Sequence, residues 1–193
     1  MPAVYLSPST QSANIGVDGI SEKDRMRTLA EALAPVLKAK GYRVFLSAPH
    51  YTLLVAIRES VSLLVPRLGD VHLALHSNAA PVPGTASGIE AWVYARGGRG
   101  DRLGTCVLAR LRRVLTLPLR VAKDGGLCKV AGVDGPSLVE LRRTTAPAVL
   151  LELFFHDNPR DVKEYLAKWP HVVQALADGI DDYYQKRLFG LEP

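Results

Sequence analysis

One carboxylate of this chain sits in surroundings that do not suit a carboxylate. Glu152 falls within "AVLLELFF", among Val149, Leu150, Leu151, Leu153, Phe154 and Phe155. A charge placed there costs free energy unless it is paired, neutralised or bound. Buried carboxylates with raised pKa values collect at functional sites, so Glu152 is a candidate acid–base group. Other polar groups end or follow apolar stretches in the same way. Ser7, Ser9, Thr10 and Gln11 follow the first one, His76, Ser77 and Asn78 end a later one, and His156, Asp157 and Asn158 come just after Glu152. Glu22 stands at the start of a helical pattern. Carboxylates and imidazoles gathered together perform general acid–base chemistry, alone or around a metal ion. Each residue also has an ordinary structural reading. A carboxylate in a first helical turn is stabilised by the helix dipole, which would account for Glu22. A single His at a strand end, like His76, is commonly a hydrogen-bonded structural residue. His72 shares the strand face of His76 but lies about 13 Å back along an extended chain, and it reads as structural.

The elements that must position these groups follow from periodicity and punctuation. "AVYLS" (3–7) reads as a first strand. Residues 21–40 read as a helix capped by Ser21, with Asp24 three residues on, a kink at Pro35 and a stop at Gly41. Strands are predicted at "YRVFL", "VHLALHS", "SGIEAWVYA" and "AVLLELFF". Helices are predicted at "TLLVAIRESVSLLVPRL", at about 101–115, at "SLVELRR", at "PRDVKEYLAKW" and at "HVVQALADGIDDYYQKRL". Residues 118–135 read as irregular and glycine-rich. Strands alternating with helices predict an α/β fold: a single domain over 1–193 with a mostly parallel central sheet covered by helices on both faces. Val4, Leu73, Leu75, Val149 and Leu151 are expected in its core. In open parallel sheets ligands bind beyond the carboxyl ends of the strands, where the polar segments fall. On these grounds alone the chain is an α/β protein with a polar cleft, and a metal hydrolase is one chemistry that fits it.

Bulk properties narrow the classes. The chain has 193 residues, 48% of them hydrophobic and 22% charged, ordinary values for a folded domain. No apolar run approaches the roughly 18 residues of a membrane span, and the first residues lack the basic and apolar regions of an export signal. Cys106 and Cys128 have no metal-ligand spacing and read as free thiols. The net charge of +5 favours anionic partners such as nucleic acid, acidic membranes or anionic wall polymers. Much of it lies in the 96–113 segment, which also reads simply as a solvated loop and outer helix face. Aromatic stacking motifs beside the basic run are missing, which argues against nucleic acid.

The blocks "NIGVDGISEKDRM", "HLALHSNAAP", "SGIEAWVY" and "LRRTTAPAVLLELFFHDNPRDV", taken in order, resemble the zinc-dependent N-acetylmuramoyl-L-alanine amidases of the amidase-3 type. The likeness runs from "VYLSPSTQ" to "GIDDYY", and its "HDNP" variant is similar to phage and clostridial amidases. The resemblance implies one zinc ion held by Glu22 and His76, with Glu152 as the catalytic carboxylate. It also implies cleavage of peptidoglycan between the lactyl group of N-acetylmuramic acid and L-Ala of the stem peptide. Zinc would polarise the amide carbonyl and activate water, while Glu152 would carry the proton to the leaving amine. Thr10, Gln11, Asn78 and Asn158 are the expected substrate contacts.

The resemblance departs at one place. Where the family's first strand runs into Gly-His-Gly-Gly, "SPST" places Thr10 at the first ligand position. A catalytic zinc normally takes three protein donors and a water. His156, Gln11 and His50 are the possible substitutes, with His156 the best because it shares strand parity with Glu152. Two readings follow: an amidase with a weak or rearranged metal site, and a zinc-free protein of the same fold that holds muropeptide without cutting it. The substrate lies in the cell wall. With no export signal visible, the expectation is either a leader already removed or cytoplasmic synthesis with release by lysis, as for an endolysin or a sporulation amidase.

Overall fold

The computed structural model describes residues 1–130 and 138–188. Among these, six strands form one sheet in the order β2-β1-β3-β6-β4-β5. They are β1 (Ala3–Pro8), β2 (Arg43–Leu46), β3 (Val71–Asn78), β4 (Glu90–Val93), β5 (Leu127–Lys129) and β6 (Ala148–Phe155). All neighbours run parallel except β4 against β6. The helices are α1 (Glu22–Ala39), α2 (Leu53–Leu63), α3 (Arg99–Leu111), α4 (Val139–Arg143) and α5 (Pro159–Leu188). The predicted α/β class, single domain and mainly parallel sheet are therefore observed.

Strand alternation sorts the sheet into two unlike faces. One carries Val4 and Leu6, Leu73 and Leu75, and Val149 and Leu151, all at most 1% exposed. They pack with Leu29, Leu33, Val107, Leu176 and Ile180 of α1, α3 and α5 in one large core. The opposite face carries Tyr5, His72, Ala74, His76, Leu150 and Glu152. Among the described residues α2 and α4 lie over it, and its apolar clusters are small.

Several predicted boundaries move for local reasons. Ser21 caps α1 as expected, its hydroxyl oxygen accepting from the Asp24 amide at 3.1 Å. The two predicted closing helices are one, because α5 runs straight through Pro170. A proline leaves the carbonyl four residues back without a partner, and here that residue is the exposed Leu166, where water can satisfy it. The same holds for Pro35 in α1, which follows the exposed Glu31 by one turn. The predicted long second helix stops at Leu63. Leu64 and Val65 turn extended ahead of Pro66, as pre-proline residues prefer, and a single 3-10 turn follows at Pro66–Leu68. The 118–135 stretch, read as irregular, contains β5, and its last residues together with Ser137 of "SLVELRR" fall outside the described residues.

From β1 the chain crosses by α1 to β2 on one side, then returns by α2 to β3 on the other. The strand order thus reverses between β1 and β3, and the crevice at their carboxyl ends is where open α/β sheets bind ligands.

Candidate active site

Register places the main groups in one row. His76 of β3 pairs with Glu152 of β6, and Glu152 pairs on its other side with Glu90 of β4. Side chains in register share a face, so Glu152 stands between an imidazole and a second carboxylate above the thinly covered side of the sheet. Glu22 enters from the rim. The first turn of α1 brings its Oε1 to 2.9 Å from His76 Nδ1, and Asn14 Nδ2 donates to its Oε2 at 2.7 Å. The Ser77 amide also approaches Oε1, at 3.4 Å. Burial works to raise the Glu22 carboxyl, but the hydrogen bond and charge of His76 outweigh it and hold the group below the ordinary carboxylate range.

A residue the sequence reading passed over completes this arrangement. Glu140, on α4 and 2% exposed, accepts from His72 Nε2 at 2.7 Å through Oε1, while its Oε2 lies 3.7 Å from His76 Nε2. His72, read from sequence as structural, is held further by Ser60 Oγ at 2.7 Å from Nδ1 and by stacking on Tyr5 at 5.3 Å. His76 thus stands between two carboxylates. Burial works to lower its pKa, but Glu140 and Glu22 together push it up to about 10. The only signal for Glu140 in the sequence is a lone carboxylate at the start of a short helix, which is too common to single out.

A cavity of about 210 Å³ opens beside these groups, lined by Gln11, Leu53, His76, Leu138, Val139, Glu140, Leu150 and Glu152. Two buried atoms there, His76 Nε2 and Glu152 Oε2, have no hydrogen-bond partner among the described residues. Burial raises Glu152 to about 8, with His76 opposing and Glu22 and Glu90 adding to the rise. Leu138 lines the cavity with a left-handed backbone, φ 63°, rare for a branched residue.

The other expected contacts divide. Gln11 lines the cavity and accepts from Asn14 at 2.9 Å. Asn78 donates to Glu90 Oε1 at 2.8 Å. Asn158 caps α5, its Oδ1 accepting from the Arg160 amide at 2.9 Å. Thr10 is partly buried just after β1, and His50 is exposed with its ring edge-on to Tyr51. His156 is buried, but its Nδ1 lies 3.0 Å from Ser77 Oγ. The parity argument for His156 is upset by an irregularity in β6. Three steps from Glu152 to Phe155 match two from His76 to Asn78, so the alternation slips by one before His156.

The family model for N-acetylmuramoyl-L-alanine amidases matches residues 9–182. The chain belongs to this amidase family. An N-acetylmuramoyl-L-alanine amidase from Clostridium difficile 630 is similar over 95% of this chain and 97% of its own, at 20% identity and a TM-score of 0.78. The catalytic domain of CwlV, an amidase from Bacillus (Paenibacillus) polymyxa var. colistinus, is similar over 96% and 99%, at 19% identity and a TM-score of 0.79. The catalytic domain of the CD27L endolysin, which targets Clostridia difficile, gives 20% identity and a TM-score of 0.70 over 93% and 96%. At these identities the likeness concerns the fold. The uncharacterized protein CPE1502 of Clostridium perfringens is 30% identical over 98 residues, half of this chain and 26% of that relative.

Members of this family are typically zinc-dependent. A catalytic zinc takes three protein donors and water, and the donor set of this amidase-family chain falls short of that. Among the described residues no three His, Cys, Asp or Glu side chains are placed to hold a metal ion. Glu22 and His76 face each other at 2.9 Å through Oε1 and Nδ1, and Asn14 holds the other Glu22 oxygen, so they offer two donors and no third. The described residues do not fit a complete catalytic zinc site.

Proposed function

We propose that this amidase-family chain hydrolyses the amide between the lactyl group of N-acetylmuramic acid and L-Ala of the peptidoglycan stem peptide. Glu152 serves as the acid–base group and His76 as the donor to the carbonyl oxygen. The observation that carries the proposal is a pair of buried atoms without a hydrogen-bond partner among the described residues, Glu152 Oε2 and His76 Nε2, on residues lining one cavity. Ionised Glu152 takes a proton from water as its oxygen adds to the carbonyl carbon. The carbonyl oxygen, now negative, accepts from His76 Nε2–H, and a buried charged donor is worth far more there than in water. The C–N bond then breaks, and Glu152 returns its proton to the departing L-Ala nitrogen. The products are the lactyl carboxylic acid and the free peptide amine.

The steps use only groups of the chain, because the zinc-activated form of the reaction needs a third donor. Thr10, standing where the family resemblance expects a histidine, has a neutral hydroxyl that coordinates zinc poorly. That same feature favours a second reading, in which the chain holds muropeptide without cutting it.

The wall is the expected place of action. Among the described residues no helix is long and apolar enough to cross a membrane. Arg110 is engaged by Asp182 and Arg96 by Asp101. The exposed Arg112 and Arg113 remain as a basic patch suited to an anionic wall polymer.

Digestion of purified muropeptides, followed by mass spectrometry for free stem peptide, tests the proposal. Release in the presence of chelator supports the steps above. Release only with added zinc returns the metal to the mechanism, and binding without release at any zinc concentration establishes the second reading.

A further inference from the structure

Glu140 has a place in the site that neither the family likeness nor the steps above assign. His72 and His76 are four residues apart on one face of β3, about 13 Å between their backbones, yet one carboxylate reaches both rings. Ala74 stands between them on that face, and its small side chain packs with Leu141 of α4. It leaves the room into which Glu140 descends. Oε1 is fixed at 2.7 Å from His72 Nε2, and His72 is itself gripped by Ser60 and stacked on Tyr5. Oε2 is thereby held 3.7 Å from His76 Nε2. That is too long for a hydrogen bond but close enough for charge attraction. Glu140 therefore draws the Nε2 edge of His76 toward the cavity without using up its proton.

We propose that Glu140 is a positioning residue, which acts through His76 by aiming its Nε2–H into the cavity beside Glu152, with His72 as its clamp. The kinetic consequence rests on the amidase reading, but the ring geometry does not.

The test is Glu140→Gln, which keeps the shape and can still accept from His72. In protein labelled with ¹⁵N-histidine, the ring signals of His76 should move while those of His50 and His171 stay. Turnover of muropeptide should fall roughly 10- to 100-fold with little change in KM, as when the partner behind a site histidine is lost. His72→Gln, which frees the clamp and leaves Glu140 in place, should move the same His76 signals by less. It also supplies the measurement if Glu140→Gln fails to fold. Unchanged His76 signals in the variant that folds would overturn the proposal. If the wild type cuts no muropeptide, the amidase reading fails, and the ring signals still decide the role of Glu140.

Discussion

The two faces of the sheet are built for different tasks. Under α1, α3 and α5 the inward positions are mostly aliphatic or aromatic, and the core is continuous from β1 to β4. Under α2 and α4 the inward positions include Tyr5, His72, His76 and Glu152, met from above by Glu59, Ser60 and Glu140. Adjacent residues of a single strand show the contrast. Leu151 enters the large core, while Leu150 lines the cavity. Burying ionisable groups costs stability unless every one is partnered. The helix-rich face supplies the hydrophobic free energy that lets the other face keep charged groups poised in a cleft.

The largest expected break in this comparison is chemical. Glu152→Gln should lower muropeptide turnover 10²- to 10⁴-fold, the usual cost of removing a general base, as read by single-turnover assay. The same variant should be more stable than wild type at alkaline pH. The folded-state pKa of Glu152 is raised to about 8 from an ordinary 4.5, so ionising it opposes folding. That penalty is absent below about pH 4.5 and grows until about pH 8. Thermal melts of the two proteins should converge below about pH 4.5 and separate progressively up to about pH 8.

His76→Ala is the next test. It leaves Glu22 and Glu140 buried and facing an empty space. Breaking a buried pair of this kind typically costs about 3–5 kcal/mol, measurable by urea denaturation at pH 7. In wild type the pKa of His76 is raised, so its contribution is complete below the ordinary 6.5 and is lost as pH climbs toward about 10. The stability difference between wild type and His76→Ala should shrink over that window.

Leu151→Ala and Leu150→Ala sharpen the comparison itself. Both remove the same atoms from neighbouring positions. The first should cost near the top of the roughly 2–5 kcal/mol range for buried Leu→Ala, and the second near the bottom, because an existing cavity already borders Leu150. Leu150→Ala should instead disturb muropeptide binding more. Arg110→Ala, which removes the partly exposed pair with Asp182 at 2.6 Å, should change stability by less than about 1 kcal/mol.

Much of the fold was legible because its signals are local. Ser21 followed by Asp24 announced the start of α1, alternation in β1, β3 and β6 announced which residues would be core, and Glu152 stood out because its neighbours are apolar. Pro170 misled because the effect of a helix proline depends on whether the stranded carbonyl meets water, and the exposure of Leu166 is a property of the folded chain.

The sequence by itself determined the element types, the apolar face of the sheet and the presence of a costly carboxylate, since each depends on residues within a few positions of one another. Only the tertiary structure decided which polar groups meet. His72 and Glu140 touch across 68 residues of sequence, and Glu22 and His76 across 54. Such contacts depend on strand order and helix placement, to which no local pattern is sensitive. The same is true of His156, whose ring was carried to Ser77 by one extra residue in β6. A one-residue slip reverses the face of everything beyond it, and it arises from the pairing of two strands, which neither strand encodes alone.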